Sequence, residues 1–330
     1  MTAILVCVII TALIFEFING FHDTANAIAT SVFTRALTPF QAIAISSVMN
    51  FAGALAGTKV AMTVAHGIVS ADFQQYVIFG ALLGAILWNL FTWWKGIPSS
   101  SSHALIGSLV GATIVFGMNT NGVIWTGVLQ KVIIPLVTSP FLGLLVGFAS
   151  MNLIYKLFSR TNRAKSTNLF LKLQVVSAAF VAFEHGHNDA QKTMGIITLA
   201  LVTNSVIDAS DGVPLEVKLA CAVMMAAGTA LGGRRIMKTM GGGVTKLEPA
   251  GGFAAQTSSA IIIAVMSHFG APISTTQVLT TSVMGVGSAK RASAVKWGTA
   301  KTIVFAWIVT LPVTAVLGGI CVFIMRLFVG

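Results

Sequence analysis

Two carboxylates interrupt long apolar stretches of this chain in the same way. Asp23 lies in Gly20-Phe21-His22-Asp23-Thr24-Ala25-Asn26, entered through Glu16. Asp189 lies in Gly186-His187-Asn188-Asp189-Ala190-Gln191-Lys192, entered through Glu184, with its leading glycine 166 residues further on. The chain has nine acidic residues, and four of them sit in these two places. A carboxylate inside an apolar segment is costly and marks an ion or substrate path. Residues three apart share a helix face, so Asp23 points with Asn26 and Asp189 with Lys192. Such groups suit a cation or a proton. His22, His185 and His187 flank them and could carry protons. The spacing His185-x-His187 diverges on a helix, which argues against a metal pair.

Hydroxyls form a second matched pair. Pro98-Ser99-Ser100-Ser101-Ser102-His103 and Pro272-Ile273-Ser274-Thr275-Thr276-Gln277 each sit between apolar arms. Aligned on proline, Ser101 matches Thr275, Ser102 matches Thr276, and Gly111 matches Gly285. Hydroxyls beside free N–H groups at helix ends would cradle an oxyanion without fixed cations. His103 closes the serine run within reach of the same ligand.

The elements that position these groups follow from composition. Of 330 residues, 55% are hydrophobic and 9% charged, and mean hydropathy is +0.88. Apolar stretches of spanning length recur throughout, without the period-two alternation of a barrel. The chain is therefore expected to be an all-α polytopic membrane protein. The net charge of +11 does not point to nucleic acid. Its basic residues sit in short loops between spans, where they set orientation. Cys7, Cys221 and Cys321 are isolated in apolar runs and read as small buried hydrophobes.

Basic clusters at Lys156–Lys172, Arg234–Lys246 and Lys290–Lys301, with Arg35, are placed in the cytoplasm. Asp72, Asp208, Asp211 and Glu216 are placed outside, as are both termini. The path runs through a crossing at 1–34 broken near Gly20, a crossing at 39–58, a hairpin at 77–118 and a crossing at 127–155. It repeats upside down as a broken crossing at 172–204, a crossing at 216–233, a hairpin at 252–290 and a crossing at 297–323. This predicts two inverted-topology repeats, residues 1–155 and 172–330, joined by a basic linker at 156–171. Broken helices and re-entrant helical hairpins bring the count to about eight to twelve membrane segments. Inverted repeats meeting at such helices are the plan of a secondary transporter with a midplane site.

On these motifs the chain resembles the inorganic phosphate transporter (PiT) family, which carries a GxxD-type signature once per half. The resemblance covers essentially the whole chain. It implies a central phosphate site, cation-coupled alternating access, no cofactor and a homodimer in the cell membrane. By that likeness Asp23, Asn26, Asn188 and Asp189 fall on motif positions, while Ser101, Ser102, Thr275 and Thr276 fall on hairpin positions that meet phosphate. Asp23, Asp189 and Gln191 complete the phosphate set. Glu16, Asp23, Asn26, Glu184, Asn188, Asp189 and Lys192 form the set for cation or proton coupling.

One departure bears on the driving ion. Sodium-coupled members carry Asn three residues after both aspartates; here the second position is Lys192. A fixed ammonium and a mobile cation would not readily share Asp189 in low dielectric. This favours H⁺ over Na⁺ as coupling ion. Alternative readings are a sulfate or other oxyanion permease of the same architecture, a metal–phosphate cargo and, more remotely, an anion channel. Phosphate is preferred because HPO₄²⁻ offers an O–H to a carboxylate and sulfate does not. An enzyme reading fails on the broad hydroxyl lining and the lack of a soluble domain.

Overall fold

The computed structural model describes residues 3–70, 74–231 and 243–329, apart from the side chains of 25–27 and 329. Asp72, Arg234, Arg235, Lys238 and the Asn26 side chain thus lie outside the described residues. The described chain is almost entirely helical. In order the helices are α1 (Ala3–Phe33), α2 (Pro39–Leu55), α3 (Lys59–Gly67), α4 (Gln75–Lys95), α5 (Ser101–Gly117) and α6 (Trp125–Phe158). They continue as α7 (Arg163–Thr203), α8 (Leu215–Leu231), α9 (Pro249–His268), α10 (Thr275–Lys290) and α11 (Trp297–Val329). Six are long and apolar enough to cross a membrane, and α2 with α3 makes a seventh, bent by 64° at the break. The arm α5 is a shorter apolar helix. Counting such arms separately is what raises the number read from sequence.

The breaks expected near Gly20 and Gly186 do not occur. Helix α1 runs through Gly20 for 31 residues, and α7 runs through Gly186 for 41. These glycines serve close approach. A Cβ on Gly20 would come within 2.6 Å of the Met225 carbonyl oxygen of α8, and one on Gly186 would enter the α2 backbone at Asn50. Small residues of this kind let membrane helices touch along their backbones. The long α7 also absorbs most of the expected linker. Residues 163–171 are its first turns, capped by the Asn162 side chain accepting the Ala164 N–H at 2.9 Å. Only residues 159–162 separate it from α6.

The two hairpin turns are the same structure made twice. Gly96 and Gly270 both adopt φ of +68°, which glycine enters without strain. Each ends its helix with a paired cap: Ile97 N–H to Thr92 O and Gly96 N–H to Trp93 O, matched by Ala271 to Met266 and Gly270 to Ser267. Each next helix starts alike. The Ser100 hydroxyl accepts the His103 N–H at 3.2 Å, and Ser274 accepts the Gln277 N–H at 3.3 Å.

Packing repeats as well. Helix α4 lies on α5 and α1, as α9 lies on α10 and α7. Helix α2 packs on α7, as α8 packs on α1. Helix α6 lies on α10 of the second hairpin, and α11 lies on α5 of the first. Outward apolar side chains such as Leu145, Phe141, Phe305, Ile308 and Phe328 coat α6 and α11. They suit a lipid surface and carry no backbone cost, because helices satisfy their own N–H and C=O groups.

Candidate functional site

The motif faces of α1 and α7 meet the two hairpin tips at the centre of the molecule. Asp23, Asp189 and Lys192 are 1–2% exposed, and Ser101, Ser102, Thr275 and Thr276 no more than 5%. The site is sealed from bulk water in this conformation.

Each aspartate is tied to both hairpins. Asp189 Oδ2 accepts the Thr275 hydroxyl at 2.9 Å, which links it to the second tip. Its Oδ1 accepts from the Lys192 ammonium, which also donates to Ser102 Oγ of the first tip and to the Ile273 carbonyl oxygen of the second at 2.8 Å. Asp23 Oδ1 takes the Thr276 hydroxyl at 3.3 Å. The same oxygen lies 2.8 Å from His22 Nδ1, and His22 Nε2 reaches Thr92 Oγ1 at 3.1 Å. The Ser99 hydroxyl of the first tip donates to that same Thr92 oxygen at 2.8 Å. The tips also touch directly, Ser102 Oγ donating to Ile273 O at 3.2 Å.

Lys192 takes Asp189 as its partner, not Glu184. A buried ion pair of this kind adds little net stability, but leaving either member alone is costly. His185 strengthens the arrangement. Its Nε2 lies 3.1 Å from Asp189 Oδ2, and its Nδ1 lies 3.0 Å from the Asn50 amide oxygen. Asn50 in turn donates to Thr229 of α8 at 2.9 Å. Ligand atoms of Asp23, His185 and Asp189 lie within 4.8 Å of one another and could embrace a cation, although Lys192 already occupies one Asp189 oxygen.

Several residues expected here do other work. Gln191 does not face the hydroxyls. Its Oε1 accepts the Val60 and Ala61 N–H groups at 2.9 and 3.3 Å, and its Nε2 donates to His187 O at 2.6 Å. The break between α2 and α3 leaves N–H groups orphaned at the start of α3, and Gln191 satisfies them. Glu184 lies five residues from Asp189, on a different face, and pairs with His187 at 3.2 Å. Asn188 donates to Ser267 Oγ at 2.8 Å and Ala271 O at 3.2 Å, fastening the second tip, while its Oδ1 has no partner. Glu16 accepts the Thr193 hydroxyl of α7. Lys95 stays at the end of α4, 4.3 Å above the Trp94 ring. Cys7 is exposed, unlike Cys221.

Some parts of the site were not read from sequence: Asn50, Thr92 and the short helix α3. Only Gly57 just after the apolar run 39–56 hinted at a break there. Chemically, the tips offer two helix N-termini and a row of hydroxyls. Ser101 Oγ is buried without a partner, as are His103 Nδ1 and Gln277 Oε1. An oxyanion between the tips would meet the Lys192 ammonium, the free N–H groups of α5 and α10, and hydroxyl donors. The carboxylates can accept any O–H it carries.

The phosphate transporter family profile matches residues 19–170 and 159–318. A protein of Mycobacterium tuberculosis named "Probable low-affinity inorganic phosphate transporter" is 48% identical over 318 residues, covering 96% of this chain and 76% of its own length. A Bacillus subtilis protein of the same name is 44% identical over 329 residues, covering 98% and 97%. Among solved structures, one described as the sodium-dependent phosphate transporter superposes with a TM-score of 0.91 at 26% identity, covering 99% of this chain and 100% of its own. These relatives are named as transporters, not enzymes. With matches running through both acidic motifs and both hydroxyl tips, the chain belongs to the phosphate transporter family.

Proposed function

We propose that this protein imports inorganic phosphate by symport with protons, by alternating access between two inverted halves, residues 1–155 and 172–330. The observation that carries the choice of ion is Lys192. Its ammonium sits on Asp189 and bridges both tips, so the place a mobile cation would take is filled by a tethered one. Phosphate then binds between the tips, drawing Lys192 and the hydroxyls of Ser101, Ser102, Thr275 and Thr276 around it. Asp23 or Asp189 accepts the phosphate O–H. The repeated turns and exchanged packing support two halves that rock about one site.

The test is uptake of labelled phosphate into proteoliposomes under an imposed pH gradient or an imposed sodium gradient. Accumulation driven by the pH gradient is expected. Uptake that requires sodium and ignores the pH gradient would sink proton coupling and favour the mode named for the structural neighbour. Arsenate should compete and sulfate should not. A second reading, cargo as a metal–phosphate complex, draws on the grouping of Asp23, His185 and Asp189. It requires uptake to fall when divalent cations are chelated.

A further inference from the structure

Four acidic residues are buried among the described residues, and three have a basic partner. Asp189 has Lys192 and His185, Asp23 has His22, and Glu184 has His187. Glu16 has none. It is 0% exposed, on α1 one heptad before Asp23, and so on the same face. Its Oε2 accepts the Thr193 hydroxyl, while its Oε1 is buried outside hydrogen-bond geometry with every described residue. The Asn19 side chain lies against the same carboxyl, and its Oδ1 is likewise buried without a partner. Two acceptor oxygens, three residues apart on α1, thus lie buried without a hydrogen-bond partner among the described residues.

We infer that Glu16 is the residue that carries the co-transported proton, and that it holds that proton in this sealed conformation. This rests on the proton-coupled reading above. A proton on Oε1 turns one orphan acceptor into a donor, and Asn19 Oδ1 is the acceptor that awaits one. The neutral acid also removes an uncompensated charge from an apolar setting, where an isolated carboxylate is strongly disfavoured. Buried Ala12 and Phe15 flank it along α1, and Ala190 and Met194 line the adjoining stretch of α7.

The groups acting on Glu16 show how it couples to cargo. From α7 these are Asp189 and Lys192, and from α8 the Cys221 thiol. Lys192 is already matched by Asp189, so a deprotonated Glu16 leaves excess negative charge beside the site. That charge repels a phosphate dianion. Proton and phosphate therefore promote each other's binding, and by linkage the effect is reciprocal. Glu16 takes its proton from water on the side where the site opens, then returns it on the other side when phosphate leaves.

The variant Glu16→Gln keeps the shape of the protonated acid and cannot exchange a proton. In proteoliposomes the ratio of phosphate accumulated with and without a pH gradient should fall from the wild-type value to about one. A wild-type ratio in Glu16→Gln would overturn the inference while leaving proton coupling intact. A wild-type protein that itself ignores the pH gradient would remove proton coupling and this role together. Should Glu16→Gln show no uptake, infrared difference spectra of purified protein decide. Wild type should show a protonated-carboxyl band that changes on phosphate addition and is absent from Glu16→Gln. Persistence of that band in the variant would refute the assignment.

Discussion

Replacing Lys192 by Asn installs in the second motif the residue type found three positions after Asp23 in the first. The change removes an ammonium buried among Asp189, Ser102 and the Ile273 carbonyl. Deleting one member of a buried pair costs about 3–5 kcal/mol, because the other charge is left alone. A mobile cation that settles on Asp189 offsets part of this loss. At one hundred times its Kd it returns about 2.7 kcal/mol, which is half or more of the deficit. Thermal unfolding of the purified protein in sodium chloride and in choline chloride measures both quantities. At roughly 2–4 °C per kcal/mol, Lys192→Asn should unfold roughly 10 °C lower than wild type in choline. Sodium should restore about half of that, whereas wild type should not distinguish the salts. Equal loss in both salts would show that the vacated place takes no cation. No loss in choline would show that Lys192 is not half of a consequential pair.

Other substitutions separate binding from scaffolding. Gln191→Ala strips the cap from α3, so unfolding should come about 1–2 kcal/mol earlier; the KM for phosphate, measured in vesicles, should stay unchanged. Ser101→Ala removes a hydroxyl with no partner among the described residues. Stability should hold to about 0.5 kcal/mol, while the KM for phosphate rises. Asp189→Asn and Asp23→Asn should both abolish uptake, and Asp189→Asn should lower the unfolding temperature more. Asp189 holds the Lys192 ammonium, whose loss of a partner is costly, whereas Asp23 faces the His22 imidazole and the Thr276 hydroxyl.

Matched motifs, helix spans and both hairpins were readable because each leaves a local mark. Proline, glycine and a capping serine recur in the same order at Gly96–Ser100 and Gly270–Ser274. The location of the helix break was not readable, since glycine has two uses that look alike in sequence. Gly20 and Gly186 admit a neighbouring backbone, and the chain bends instead between Leu55 and Lys59. Gln191 was misread for a related reason. It sits within the motif, but its partners come from α3, 130 residues earlier. Spacing puts Lys192 on the face of Asp189 but leaves Glu184 as another partner; the choice of Asp189 and the reach to both tips required the fold.

The exchanged packing of the last helices has a consequence for biogenesis. Helix α5 is made well before the end of synthesis, yet its chief packing surface belongs to α11, made last. Until then the first tip has no Trp307 indole to donate to the Pro98 carbonyl, a bond of 3.1 Å in the finished protein. The nascent helices before α11 must therefore wait in the membrane with the first hairpin uncovered. Chains truncated before residue 297 should be degraded, however completely their earlier helices have inserted.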